Sequence, residues 1–74
     1  MNQTGLTITV AVNGTERSVP SGTTVARLIE LLEIDGARVA VEKNLDVVPR
    51  ATWPQALLAD GDRVEVVTFV GGGA

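Results

Sequence analysis

The sequence contains no cysteine and no histidine among its 74 residues. Without cysteine there can be no disulfide framework, thiol nucleophile or thiolate metal site. Without histidine the chain also lacks the commonest general base and the commonest zinc ligand. We therefore expect that the chain is not an enzyme by itself and that it binds no metal or cofactor of its own.

Aromatic residues, basic clusters and long apolar runs are also scarce. The two aromatic residues, Trp53 and Phe69, are too few for a base-stacking platform, and the net charge of −3 includes no basic stripe, so we expect no nucleic-acid partner. No apolar run approaches the roughly 18 residues of a membrane span. The first residues lack the basic and apolar regions of a signal peptide. The composition predicts a cytoplasmic protein that is monomeric when free and makes no membrane contact.

The first twenty residues carry the pattern of a β-hairpin. Apolar and β-branched residues alternate over residues 6–12, which is typical of a half-buried strand. Asn13-Gly14 follows and is the preferred pair for a type I′ hairpin turn. Residues 15–19 predict the return strand, which Pro20 ends because proline cannot donate to a ladder.

A single amphipathic helix is predicted next. Thr23 or Thr24 is suited to cap its N-terminus, because a hydroxyl there can accept a hydrogen bond from a free amide. The apolar residues that follow recur at helical spacing on one face: Val25, Leu28, Ile29 and Leu32. We expect the helix to end near Glu33 or Ile34, with Gly36 as the left-handed residue after it.

The second half predicts three more strands, over residues 38–42, 46–48 and 63–69. Between the last two, residues 50–58 predict a loop or a single helical turn, with Trp53 and Leu57 covering the open end of the core. Arg50 is expected to be solvated. The pair of carboxylates in Asp60-Gly61-Asp62 suggests a cation site, but this sequence is more often a tight turn whose side chains bond nearby amides.

The predicted order is β-β-α-β-β-β. One helix can cover only one face of a sheet, so the expected fold class is two-layer α+β. Residues 1–70 form the predicted domain, and residues 71–74 form a flexible glycine-rich C-terminal tail. The expected core consists of ten apolar residues: Ile8, Val10, Val25, Leu28, Ile29, Leu32, Val39, Val41, Val64 and Val66.

Several short motifs, in this order, resemble the ThiS family, the small sulfur carrier proteins of thiamine thiazole biosynthesis. The residues that carry the resemblance are Asn13-Gly14, Thr24-Val25, Leu28, Leu31-Leu32, Val39-Ala40-Val41, Asn44, Val48-Pro49-Arg50, Trp53, Asp60-Gly61-Asp62 and Gly72-Gly73. The resemblance implies a ubiquitin-like β-grasp fold, in which a mixed five-stranded sheet packs on one helix. It also implies that the first and last strands lie parallel at the centre of that sheet.

By this resemblance, the chain works through its C-terminal glycine. An ATP-dependent adenylating and sulfurtransferase enzyme (ThiF-like) activates the carboxylate of Gly73, and sulfur from a donor converts it to a thiocarboxylate. Thiazole synthase (ThiG-like) then takes the sulfur, so ATP and the sulfur donor are used by the partner enzymes. Carriers of this family end on Gly-Gly, whereas Ala74 follows Gly73 here. The resemblance therefore implies that Ala74 is removed.

The tail and the strand before it are expected to meet the partner. Gly72 and Gly73 have no side chains, and an extended tail from Phe69 to Gly73 reaches roughly 14 Å. If Val64 and Val66 face inward, Val67 and Phe69 face outward, and Ala40 lies on the same outer face. We predict partner docking through the outward-facing residues Phe69, Val67 and Ala40. The alternatives are a sulfur carrier for molybdopterin or cysteine synthesis, and a β-grasp interaction module that transfers nothing.

Overall fold

The computed structural model describes residues 6–69, so the predicted tail at residues 71–74 lies outside the described part. Within residues 6–69, one α-helix and five strands make up the regular structure, together with two short 3-10 helices. The strands are β1 (Thr7–Val12), β2 (Thr15–Pro20), β3 (Val39–Lys43), β4 (Asp46–Val47) and β5 (Arg63–Thr68). The helix α1 spans Val25–Leu31, and the 3-10 helices span Gly36–Arg38 and Arg50–Gln55.

The five strands form one mixed sheet in the order β2-β1-β5-β3-β4. β1 and β5 run parallel at its centre, and the other neighbours are antiparallel. The predicted hairpin is confirmed: Asn13 and Gly14 have φ values of +49° and +84°, as a type I′ turn requires. The helix packs on one face of the sheet, which confirms the predicted two-layer α+β class.

The helix begins where it was predicted and ends earlier. Thr24 is the N-cap, and its Oγ1 accepts a hydrogen bond from the amide of Arg27 at 3.2 Å. The helix ends at Leu31, and the residue in the left-handed region is Glu33, at φ +58°, so the prediction for Gly36 was wrong.

A Schellman motif explains the early end. The amide of Ile34 donates to the carbonyl of Ile29, and the amide of Glu33 donates to the carbonyl of Glu30. This closure packs Ile34 against the core, which offsets the cost of a left-handed glutamate. Gly36 lies in the first 3-10 helix instead. There, an added Cβ atom would lie only 3.3 Å from Cζ3 of Trp53.

The core lies between the helix and the sheet and follows most of the prediction. Its buried apolar residues are Val10, Val12, Val19, Val25, Leu28, Ile29, Val39, Val41, Trp53, Leu58 and Val64. Three predicted core residues are only partly buried: Ile8, Leu32 and Val66. Trp53 covers the core as predicted.

The prediction that Leu57 covers the core was wrong, because the neighbouring Leu58 does so. The chain is extended there and bridges to Thr24, with hydrogen bonds from the amide of Val25 to the carbonyl of Ala56 and from the amide of Leu58 to the carbonyl of Thr23. Successive side chains of an extended segment point to opposite sides. Leu58 therefore points inward, and Leu57 stays 59% exposed.

Candidate functional site

The central strand β5 leads directly toward the glycines of the predicted tail. Gly72 and Gly73 themselves lie outside the described residues. The end of β5 is held by β3, with Thr68 opposite Val39 and the amide of Phe69 donating to the carbonyl of Arg38 at 2.8 Å. Phe69, the last described residue, is therefore anchored in the middle of the sheet.

Three residues form an exposed apolar surface at this point, which we call the tail-root patch: Ala40, Val67 and Phe69. Ala40 lies directly opposite Val67 in the β3–β5 ladder, so both side chains are on the same face. Val67 is 53% exposed and Phe69 is 52% exposed, on the side of the sheet away from the helix. The structure thus brings together the three residues that the sequence predicted for docking.

Two glutamates lie next to the tail-root patch. Glu42 is directly opposite Glu65 in the β3–β5 ladder, and each lies two residues along its strand from a patch residue, which puts both on the outer face. Like charges at directly opposite positions destabilise a sheet. Neither glutamate belongs to an ion pair found within residues 6–69. Sequence reasoning missed this acidic pair, since only the pairing register of β3 and β5 reveals it.

Arg50 and Trp53 support the beginning of β3, close to Ala40. The guanidinium of Arg50 donates to the carbonyls of Gly36 and Val39, the latter at 2.8 Å, and lies 4.5 Å from the centre of the Trp53 ring. The prediction that Arg50 is merely solvated was therefore wrong. The planar guanidinium of Arg50 can donate to two carbonyls at once, and the ring of Trp53 orients it. The indole of Trp53 donates in turn to the carbonyl of Val48 at 2.9 Å.

The Asp60-Gly61-Asp62 segment is a turn whose carboxylates bind backbone and amide groups. Asp60 Oδ1 accepts from the amide of Thr9 at 2.8 Å, and Asp62 Oδ2 accepts from the amide of Ala59 at 2.8 Å. Asp62 Oδ1 also accepts from Nδ2 of Asn44 at 3.0 Å. These hydrogen bonds confirm the predicted tight turn. They engage both carboxylates in fixing the residues that immediately precede β5. Residues 6–69 contain no group of three potential metal-ligating side chains.

None of the helices within residues 6–69 has the length and apolarity that crossing a membrane requires.

Comparison with known proteins decides the family. Residues 7–73 match the ThiS family, which is most of the chain. The chain belongs to the ThiS family. The crystal structure of the thiamine biosynthesis protein ThiS from Geobacter metallireducens aligns with a TM-score of 0.78 at 32% sequence identity, covering 89% of this chain and 100% of that one. This likeness confirms the ubiquitin-like β-grasp fold.

Two curated relatives extend the comparison. The sulfur carrier protein ThiS of Escherichia coli is 36% identical over 53 residues, which cover 72% of this chain and 80% of that protein. A thiazole synthase of Paramagnetospirillum magneticum is 42% identical over 65 residues, which cover 88% of this chain. The chain spans about a fifth of the length of that thiazole synthase. A ThiS-like segment thus occurs within a protein named for the synthase.

Proposed function

We propose that this ThiS-family chain is a sulfur carrier for thiazole formation in thiamine biosynthesis. The carboxylate of Gly73 is adenylated by a partner enzyme and then converted to a thiocarboxylate. The observation that carries the proposal is the family match, which runs to Gly73 and leaves Ala74 outside it. In this scheme Ala74 is removed first, because the carboxyl group of Gly73 is otherwise in the peptide bond to Ala74 and cannot be adenylated. The carrier is consumed and regenerated in turn, and ATP and the sulfur donor are bound by its partners.

The geometry at the end of β5 supports this function. A carrier must present its terminus to an active site while the folded domain stays outside. The tail-root patch lies where β5 ends, so a partner that covers Val67 and Phe69 also receives the tail. An exposed apolar surface of this kind is typical of a protein–protein contact.

The acidic pair indicates the chemistry of the partner surface. Glu42 and Glu65 lie about 7 Å along their strands from Ala40 and Val67, at two residues of strand rise. We infer that the adenylating enzyme presents an apolar centre to the patch and a basic side chain to the two glutamates. Such a contact relieves the repulsion between the carboxylates and accelerates association.

The sulfur acceptor in this proposal is a thiazole synthase. The support is the relative in which a segment similar to this chain makes up about a fifth of a thiazole synthase. Joining a carrier to its acceptor raises the effective concentration of one at the other.

The test is mass spectrometry of the chain after incubation with an adenylating enzyme of the family, ATP, magnesium and a sulfur donor. A variant that ends at Gly73 should gain the mass of one oxygen-to-sulfur exchange and then form thiazole with thiazole synthase. The control ends at Gly71, so its carboxylate stops about 7 Å short of the position that Gly73 can reach; it should stay unloaded while its melting temperature remains nearly unchanged. If the variant ending at Gly73 is never modified, the chain is an interaction module. If that variant is loaded but supplies sulfur only to molybdopterin or cysteine synthesis, the proposed role in thiazole formation is wrong.

A further inference from the structure

β1 ends before its parallel neighbour β5 does. Backbone hydrogen bonds join the two strands as far as Asn13: the amide of Ala11 donates to the carbonyl of Asp62 and the amide of Asn13 donates to the carbonyl of Val64, both at 2.9 Å. The chain then turns back at Asn13-Gly14 to form the hairpin. Within residues 6–69, the edge of β5 that faces β1 therefore has no paired strand beside it from Val66 onward.

The side chain of Asn13 occupies this vacant position. Its Oδ1 accepts a hydrogen bond from the amide of Val66 at 2.7 Å, and its Nδ2 donates to the carbonyl of Val66 at 3.2 Å. A carboxamide carries one acceptor and donors in a plane, like a peptide group. The Asn13 side chain thus supplies the two hydrogen bonds that the next two peptide groups of a continued β1 would make to Val66 in a parallel ladder.

We propose that Asn13 is a positioning residue for the tail. By holding both backbone groups of Val66, it extends the central sheet to the residue just before Val67 of the tail-root patch. In the described part of the chain, the remainder of β5 pairs only with β3. Asn13 therefore limits the directions in which the chain leaves the sheet toward Gly73. This proposal rests on the proposed function, because its consequence is the rate at which the terminus is activated.

Asparagine suits both tasks at this position. Among residues other than glycine, it is one of the few that readily adopt the left-handed conformation found at Asn13. Its carboxamide also has both the donor and the acceptor that Val66 needs. Glycine would keep the turn and remove the hydrogen bonds. Aspartate would keep the acceptor but place a carboxylate oxygen against the carbonyl oxygen of Val66. The variants Asn13→Gly and Asn13→Asp therefore separate the turn from the contact with β5.

Amide hydrogen exchange tests the contact itself. In Asn13→Gly the amide of Val66 should exchange about fivefold faster, as expected for the loss of one hydrogen bond of about 1 kcal/mol. The amide of Phe69 is the internal control, because it bonds to Arg38 on the other side of β5 and should exchange at its wild-type rate. Unchanged exchange at Val66 overturns the proposal, as does an equal acceleration at both amides.

Sulfur loading tests the consequence for the tail. With the adenylating enzyme, Asn13→Gly and Asn13→Asp should lower kcat about threefold or more, because a misdirected terminus reaches the reacting geometry less often. KM should change little, since the tail-root patch is intact. Val19→Ala is the control: it removes a buried side chain from the edge strand β2, which pairs with β1 and not with β5. It should load at the wild-type rate below its melting temperature.

Three outcomes of the loading experiment are distinguishable. A loss of kcat in the Asn13 variants alone supports the positioning role. Wild-type kcat in those variants, or an equal loss in Val19→Ala, overturns it, because the effect is then absent or merely one of stability. If the variant that ends at Gly73 and keeps Asn13 is never loaded, the proposed function fails. The amide hydrogen exchange of Val66 then decides by itself whether the Asn13 side chain holds β5.

Discussion

Replacing Phe69 with alanine tests the docking role of the tail-root patch. Full burial of a phenylalanine contributes about 1.5–3 kcal/mol. Phe69 is 52% exposed in the free chain, so a partner that covers it removes about half of that side chain from water. We therefore expect Phe69→Ala to weaken binding to the adenylating enzyme by about 0.8–1.5 kcal/mol, or about four- to twelvefold in Kd.

Leu57→Ala is the matched control for this experiment. Leu57 is also apolar and is 59% exposed, but it pairs with Thr24 at the start of the helix, away from the patch. Both variants should lose a similar and small amount of stability in thermal melts. Only Phe69→Ala should raise the Kd in a calorimetric titration of the adenylating enzyme. Wild-type affinity in Phe69→Ala, or equal losses in the two variants, would refute docking through the patch.

Three further changes have expected outcomes. Glu65→Lys replaces the repulsion with Glu42 by an attraction, so it should raise the free energy of unfolding by about 0.5 kcal/mol at low salt and less at high salt. Thermal melts at two salt concentrations measure the stability, and a loss of stability in Glu65→Lys would contradict the expected attraction to Glu42. The same change should slow association with the adenylating enzyme. Thr24→Ala removes the helix N-cap and should cost about 1 kcal/mol in urea unfolding, and an unchanged midpoint would argue against the cap. Trp53→Phe leaves the carbonyl of Val48 without its indole donor and should cost about 1–3 kcal/mol, measured by circular dichroism, and a neutral result would show that this bond contributes little.

The elements that the sequence predicted well are those determined by neighbouring residues. The turn at Asn13-Gly14 follows from the left-handed conformation that this pair tolerates. The N-cap at Thr24 follows from a hydroxyl at the start of an amphipathic run. The outward placement of Val67 and Phe69 follows from simple alternation along one strand. In each case a few adjacent residues contain the physical cause.

The features that sequence reasoning missed depend on contacts between distant segments. The helix ended early because burial of Ile34 stabilised a left-handed Glu33, and no local signal marks that balance. The acidic pair requires the register of two strands that are about 20 residues apart in the chain. The contact between Asn13 and Val66 requires a parallel pairing across about 50 residues. Alternation along a single strand contains no information about either register.

The parallel pairing of β1 and β5 has a practical consequence for labelling this protein. Because Ala11 lies beside Arg63 and the strands run in the same direction, the chain enters β1 and leaves β5 at opposite ends of the sheet. Leu6 and Phe69 are offset by roughly 11 residue positions, or about 36 Å at the usual strand rise. An affinity tag or a fluorescent dye attached ahead of residue 6 is therefore linked to the end of the sheet opposite the tail-root patch. Binding and the proposed sulfur loading can both be measured on a chain labelled in this way, with the label kept away from the tail-root patch.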